Sequence, residues 1–128
     1  MIASFTRAYE ASADVTPYRI ARFSDVAATQ KVANASANTQ PLIGVFDKMA
    51  GVGTSGQMID VHRSGLCSVE LGATVTAGQP LTSDAQGRAI PAVATTATLV
   101  RVVGFADQPG VVGDVIDAWI QPGLLDRP

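Results

Sequence analysis

Charge is scarce in this chain. Only 16% of its 128 residues are Asp, Glu, Lys or Arg, against about a quarter in an ordinary globular domain. A surface this poor in charge must be built largely from Ala, Thr, Ser, Gly and Gln, which suits a protein that works packed against other proteins. The net charge is −2, and the basic residues form no cluster. Nucleic acid is therefore not an expected partner, because neutralising phosphates takes a basic face. Cysteine occurs once, at Cys67, so no disulfide can form within the chain. No apolar run approaches the ~20 residues that span a bilayer as a helix, and no membrane partner is expected. The segment from Met1 to Ile20 has no apolar stretch of signal-peptide type, so folding in the cytoplasm is the expectation.

What the chain does have is turns and short β-like runs. Twelve glycines and seven prolines punctuate it too often for long helices. Met58 to Val61, Leu66 to Leu71, Thr98 to Phe105 and Val111 to Ile120 read as strands. In the last of these, Val115, Asp117 and Trp119 share one face and Ile116, Ala118 and Ile120 the other. Asp25 to Ala35 is the best helical candidate, with Asp25 as its cap, although the same residues also suit a polar strand. The length fits one domain that buries roughly two-thirds of its unfolded surface. The fold class expected is all-β: a small single-domain β-barrel or β-sandwich with short strands and at most one short helix.

One pattern recurs. Ile43-Gly44-Val45-Phe46-Asp47 resembles Val103-Gly104-Phe105-Ala106-Asp107, with Gly44 and Gly104 in the same place of each copy. Each copy is followed by a glycine-rich turn, then by Ile-Asp (Ile59-Asp60 and Ile116-Asp117), then by a glycine. Either two apolar-Gly-apolar hairpins look alike by chance, or one barrel contains two equivalent hairpins. In the second case Gly44 and Gly104 mark a bend or the close passage of another backbone.

Candidate chemistry is thin. The loop Gly51 to Gly56 lacks the Lys and Ser or Thr of a phosphate loop and runs into a strand, so it reads as a hairpin tip. His62 and Cys67 are the sole histidine and cysteine. A nucleophile and base can be drawn from them, but no third group stands out to orient the base. One His and one Cys also fall short of the three or four ligands of a zinc site. Asp47, Asp60, Asp107, Asp114 and Asp117 lack the close alternate spacing of a calcium loop and read as turn and strand-edge residues. No catalytic residue, metal or cofactor is expected.

The aromatics say more. Four of the seven, Phe5, Tyr9, Tyr18 and Phe23, lie near the start of the chain, with Arg7, Arg19 and Arg22 among them. Aromatics and arginine mark interface cores, and they equally suit a first strand packed in a core. Phe5, Arg7, Tyr9 and Tyr18 are the candidate interface residues. Phe5, Arg7 and Tyr9 alternate, so an extended chain puts all three on one face. Residues 1–13 are expected to form an N-terminal arm, mobile in the free protein, that adds a strand to an exposed edge of a binding partner or a neighbouring subunit, and 14–128 the domain proper. Trp119, between apolar neighbours, reads as core.

Three segments together carry a family pattern: Pro41-Leu42-Ile43-Gly44-Val45; then Val75 to Ala89, VTAGQPLTSDAQGRA; then Val103-Gly104-Phe105-Ala106, with Gly113-Asp114-Val115 and Gln121-Pro122-Gly123. In order and spacing, from Pro41 to Gly123, they resemble tailed-bacteriophage capsid decoration (cement) proteins. Phe105 stands where many members have a small residue. The resemblance implies a small β-barrel or β-sandwich on the outer surface of a phage head, with the major capsid protein as partner. By analogy with lambda-type decoration proteins it also implies a homotrimer, made in the host cytoplasm and carried on the virion. Under that reading Val75 to Ala92 is shape and not chemistry, with Gly78 at a corner and Gly87 taking positive φ in a hairpin turn. The alternatives are a soluble β-barrel module that binds carbohydrate or peptide, and a small hydrolase using His62 and Cys67.

Overall fold

A computed structural model describes residues 4–46, 53–94 and 99–125. Among them are nine strands and no helix: β1 (Ser4–Glu10), β2 (Ile20–Phe23), β3 (Val32–Asn34), β4 (Leu42–Phe46), β5 (Met58–Glu70), β6 (Pro80–Ser83), β7 (Ala89–Pro91), β8 (Val100–Ala106) and β9 (Val115–Leu125). All strand pairings are antiparallel and form one sheet, ordered β3-β2-β4-β5-β9-β8-β6-β7, with β1 added on β5. The sheet curls into a half-barrel.

Two expectations about elements change. The helical candidate at 25–35 is a turn over residues 26–28 followed by β3. Ala28 N–H donates to the Asp25 carbonyl, and Ser24 N–H then reaches the Lys31 carbonyl, closing a hairpin in place of a helix. Val32 and Ala33 are buried within the sheet, so tertiary pairing overrides a weak local helix preference. The two runs on either side of Gly65 are one strand, β5. Gly65 has φ 93 and absorbs an irregularity inside the strand, with the β1 register slipping nearby.

The repeat is real and covers nearly all of the described residues. Its copies, 5–64 and 65–121, make the same main-chain bonds. Val15 and Gly53 exchange a pair of N–H to carbonyl bonds, as Val75 and Gly110 do. Ala11 N–H donates to Gln57, and Leu71 N–H to Asp114. Tyr18 N–H donates to Phe46, and Gly78 N–H to Ala106. The first half of β5 pairs with β1 and β4, and the first half of β9 pairs with the second half of β5 and with β8. The second half of β5 is therefore to the second repeat what β1 is to the first.

The core follows the same division. One cluster lies wholly in the first repeat and contains Tyr9, Ala11, Val15, Ala21, Val32, Ile43, Phe46, Ile59 and Val61. A second holds the counterpart of each, such as Val69 for Tyr9, Val103 for Ile43 and Ile116 for Ile59, and a third, small one holds Ala92, Val100 and Val102. The second cluster also takes in Ile20, Ala35, Leu42 and Val45 from the first repeat. The second repeat thus closes its core over the back of the first. The first repeat fills its own space with bulk, placing Tyr9 and Phe46 where the second has Val69 and Ala106.

Candidate functional site

The turns are positioned by main-chain geometry. Gly44 and Gly104 occupy the same place in the two repeats, on β4 and β8. A Cβ at Gly44 would run into the His62 carbonyl oxygen, and one at Gly104 into that of Trp119. Each glycine therefore lets a neighbouring strand pass close, and neither lies in a turn. Gly78 (φ 85) and Gly87 (φ 80) do turn the chain in the left-handed region. In the Gly87 turn, Asp84 has partners that the sequence did not suggest. Its Oδ1 accepts from the N–H groups of Gln86 and Arg88, both at 2.8 Å, and its Oδ2 lies 3.2 Å from Arg88 Nε. Asp114 does similar work, accepting from Val111 N–H at 2.9 Å.

The candidate interface residues separate into different roles. Tyr18 sits at φ 65, in the turn that Gly78 makes in the second repeat, so its backbone role is structural. Tyr9 is 1% exposed. It meets Phe23 edge-on at 5.8 Å, and its hydroxyl accepts from Arg63 Nη1. Tyr9 is thus a core residue and offers no surface to a partner. Arg7 lies exposed with its guanidinium 4.9 Å from the Tyr9 ring centre. Phe5 is 58% exposed. The segment expected as an arm for another molecule is instead a strand of this chain's own sheet, β1, paired along β5.

His62 and Cys67 lie on β5. His62 Nδ1 is 3.0 Å from Thr6 Oγ1, while Cys67 is buried in the apolar cluster that spans the two repeats. The carboxylates of the calcium reading are spread over separate turns and strands, and Asp47 lies outside the described residues. So do Gly51 and Val52 of the glycine-rich loop; its remainder forms a turn with Gly56 at φ 89.

Sequence reasoning also missed a partly exposed apolar row. Leu66, Trp119, Phe105 and Pro80 are consecutive register partners across β5, β9, β8 and β6. Residues directly opposite in antiparallel strands present side chains on the same face. Trp119 is 48% exposed and Phe105 39%, so the expectation that Trp119 is core is corrected. The reason is register: on β9, Ile116, Ala118 and Ile120 take the inner face, leaving 115, 117 and 119 outside. That alternation was legible; which of its faces was inner was not. Phe5 and Trp119 also line one shallow depression with Ser64, Gln121 and Pro122.

No family model matches the chain, and no curated protein is similar to it in sequence. In fold it is similar to a solved structure, the N base of head fiber gp8.5 of bacteriophage phi29, with a TM-score of 0.62 and 23% identity. The likeness covers 94% of this chain and 95% of that one.

Proposed function

We propose that this chain is a structural protein of a phage virion that binds the outside of the head and stabilises the shell. The observation that carries the reading is the fold likeness to the base of a phage head fibre over nearly the full length of both chains. The three segments that resemble cement proteins support it independently. The partner is the major capsid protein, and the protein acts as a homotrimer.

The physical mechanism is linkage. A protein that binds the assembled shell and not its dissociated subunits adds its binding free energy to shell stability. Copies that bridge neighbouring subunits make the release of any one subunit unproductive. Heads carrying the protein at full occupancy should survive heating or osmotic shock that opens heads lacking it. Equal survival of the two particle types would remove the stabilising role.

The exposed Trp119 and Phe105 favour a second reading, a module that binds carbohydrate, because sugars stack on exposed aromatics. It predicts a saturable change in Trp119 fluorescence on titration with oligosaccharides of the host envelope, and no binding to heads.

A further inference from the structure

The row on the second repeat has a counterpart on the first. Leu66, Trp119, Phe105 and Pro80 correspond to Thr6, His62, Val45 and Ile20. The pairings agree: Thr6 with His62, His62 with Val45, and Val45 with Ile20. On the first repeat one end of this row is not a free surface. Thr6 is exposed and His62 half-buried, but Val45 and Ile20 are both 0% exposed and lie in the same core cluster as Val69, Val103 and Ile116 of the second repeat. One unit of this fold therefore already packs on this end of the row of another.

Among the described residues, no further unit covers the row of the second repeat. Three of its four side chains are nevertheless larger, with Leu66 in place of Thr6, Phe105 in place of Val45 and Trp119 in place of His62. A contiguous exposed apolar patch favours association, and Trp and Phe are the residues of interface cores.

We propose that this row, with Phe5 at its end, is where a second copy of this chain packs. The occupant is argued from the interface already present: the Val45–Ile20 end of the same row, one repeat earlier, is covered by a unit of the same fold. The row also carries no charge that a partner would have to match. The inner space of the first repeat is filled by Tyr9 and Phe46, with Phe23 against them, so a second copy meets the row with a different face from the one the second repeat turns to the first. In a homotrimer the rows gather about the symmetry axis, which closes the assembly. The inference rests on the homotrimer within the proposed function and assigns its surface; attachment to a head is a separate matter.

Trp119 is the only tryptophan, so its emission reports on the row directly. The full-length protein is measured by light scattering and by acrylamide quenching across a dilution series. The expected result is a multiple of 13.2 kDa with Trp119 shielded. On dilution, loss of mass and gain of quenching should run together. Phe105→Asp should give a monomer with Trp119 accessible and a cooperative melt. A wild-type monomer at every concentration overturns both the row and the homotrimer. An oligomer whose Trp119 stays open to quencher overturns the row and leaves oligomerisation standing. So does a Phe105→Asp variant of wild-type mass. If Phe105→Asp fails to fold, the shielding of Trp119 in the wild type decides alone.

Discussion

The two repeats share one main-chain plan and solve the problem of filling it differently. The first is self-contained. Its core is made from its own residues, and Tyr9, Phe46 and Phe23 supply the bulk. The second uses smaller residues, Val69 and Ala106, and completes its core with the outer face of the first. Their backs differ in turn: the first is covered by its neighbour, and the second carries Trp119 and Phe105 into solvent. A duplicated unit thus comes to have one end closed by aromatics and one end left apolar and open. The comparison teaches that the same hydrogen-bond frame tolerates either solution, provided the volume is filled to interior density.

Removing what makes the first repeat self-contained should have the largest effect. Deleting residues 1–10 takes away β1, bares one edge of β5 and empties the Tyr9 site. Losing a buried aromatic alone costs about 3–5 kcal/mol, a large part of a small domain's stability. The truncated chain should show no cooperative thermal transition by circular dichroism. A truncated protein that melts as the full chain does would show that β1 is a dispensable arm, as the sequence suggested.

Next come the two glycines that occupy equivalent places. Gly44→Ala and Gly104→Ala each drive a methyl group into a carbonyl oxygen of the adjacent strand. The backbone must shift in both, and overpacking of this kind costs about 1–3 kcal/mol. Urea unfolding should place both variants in that range. If Gly44→Ala alone is costly, the equivalence of the two bends fails.

The smallest effect is expected at the left-handed turn, which one repeat makes with Tyr18 and the other with Gly78. Gly78→Ala should cost about 1 kcal/mol, the penalty of a Cβ in that region. Tyr18→Gly removes the same penalty but frees the unfolded chain and loses the half-buried ring. Its net change should stay within about 1 kcal/mol of zero. Chemical denaturation that finds Tyr18→Gly as costly as Phe46→Ala would show that the Tyr18 side chain, and not its backbone, does the work.

Much of the fold was legible because alternation and glycine placement are local signals. The β9 pattern, the Gly87 hairpin and the recurrence of one apolar-Gly-apolar motif at Gly44 and Gly104 can all be read along the chain. The full extent of the repeat was not legible. Residues 11–23 and 71–83 share few identities, yet form the same turns because main-chain bonds do not need them. Tyr18 against Gly78 shows the difficulty: a left-handed residue is expected at Gly and hidden at Tyr. The exposure of Trp119 was hidden for another reason. An alternating strand has two faces, and only the packing of the second repeat on the first decides which is inner. Of the candidate interface, Phe5 and Arg7 proved to be at the surface, whereas Tyr9 went into the core.

The central claim is that this chain sits on a phage head. Cryo-electron microscopy of the particle whose genome encodes it tests that most directly. The account predicts density for the half-barrel on the outer face of the shell, repeated over the lattice and touching the major capsid protein. A particle whose outer shell is accounted for entirely by other proteins, with this chain absent from the purified virion, would contradict it.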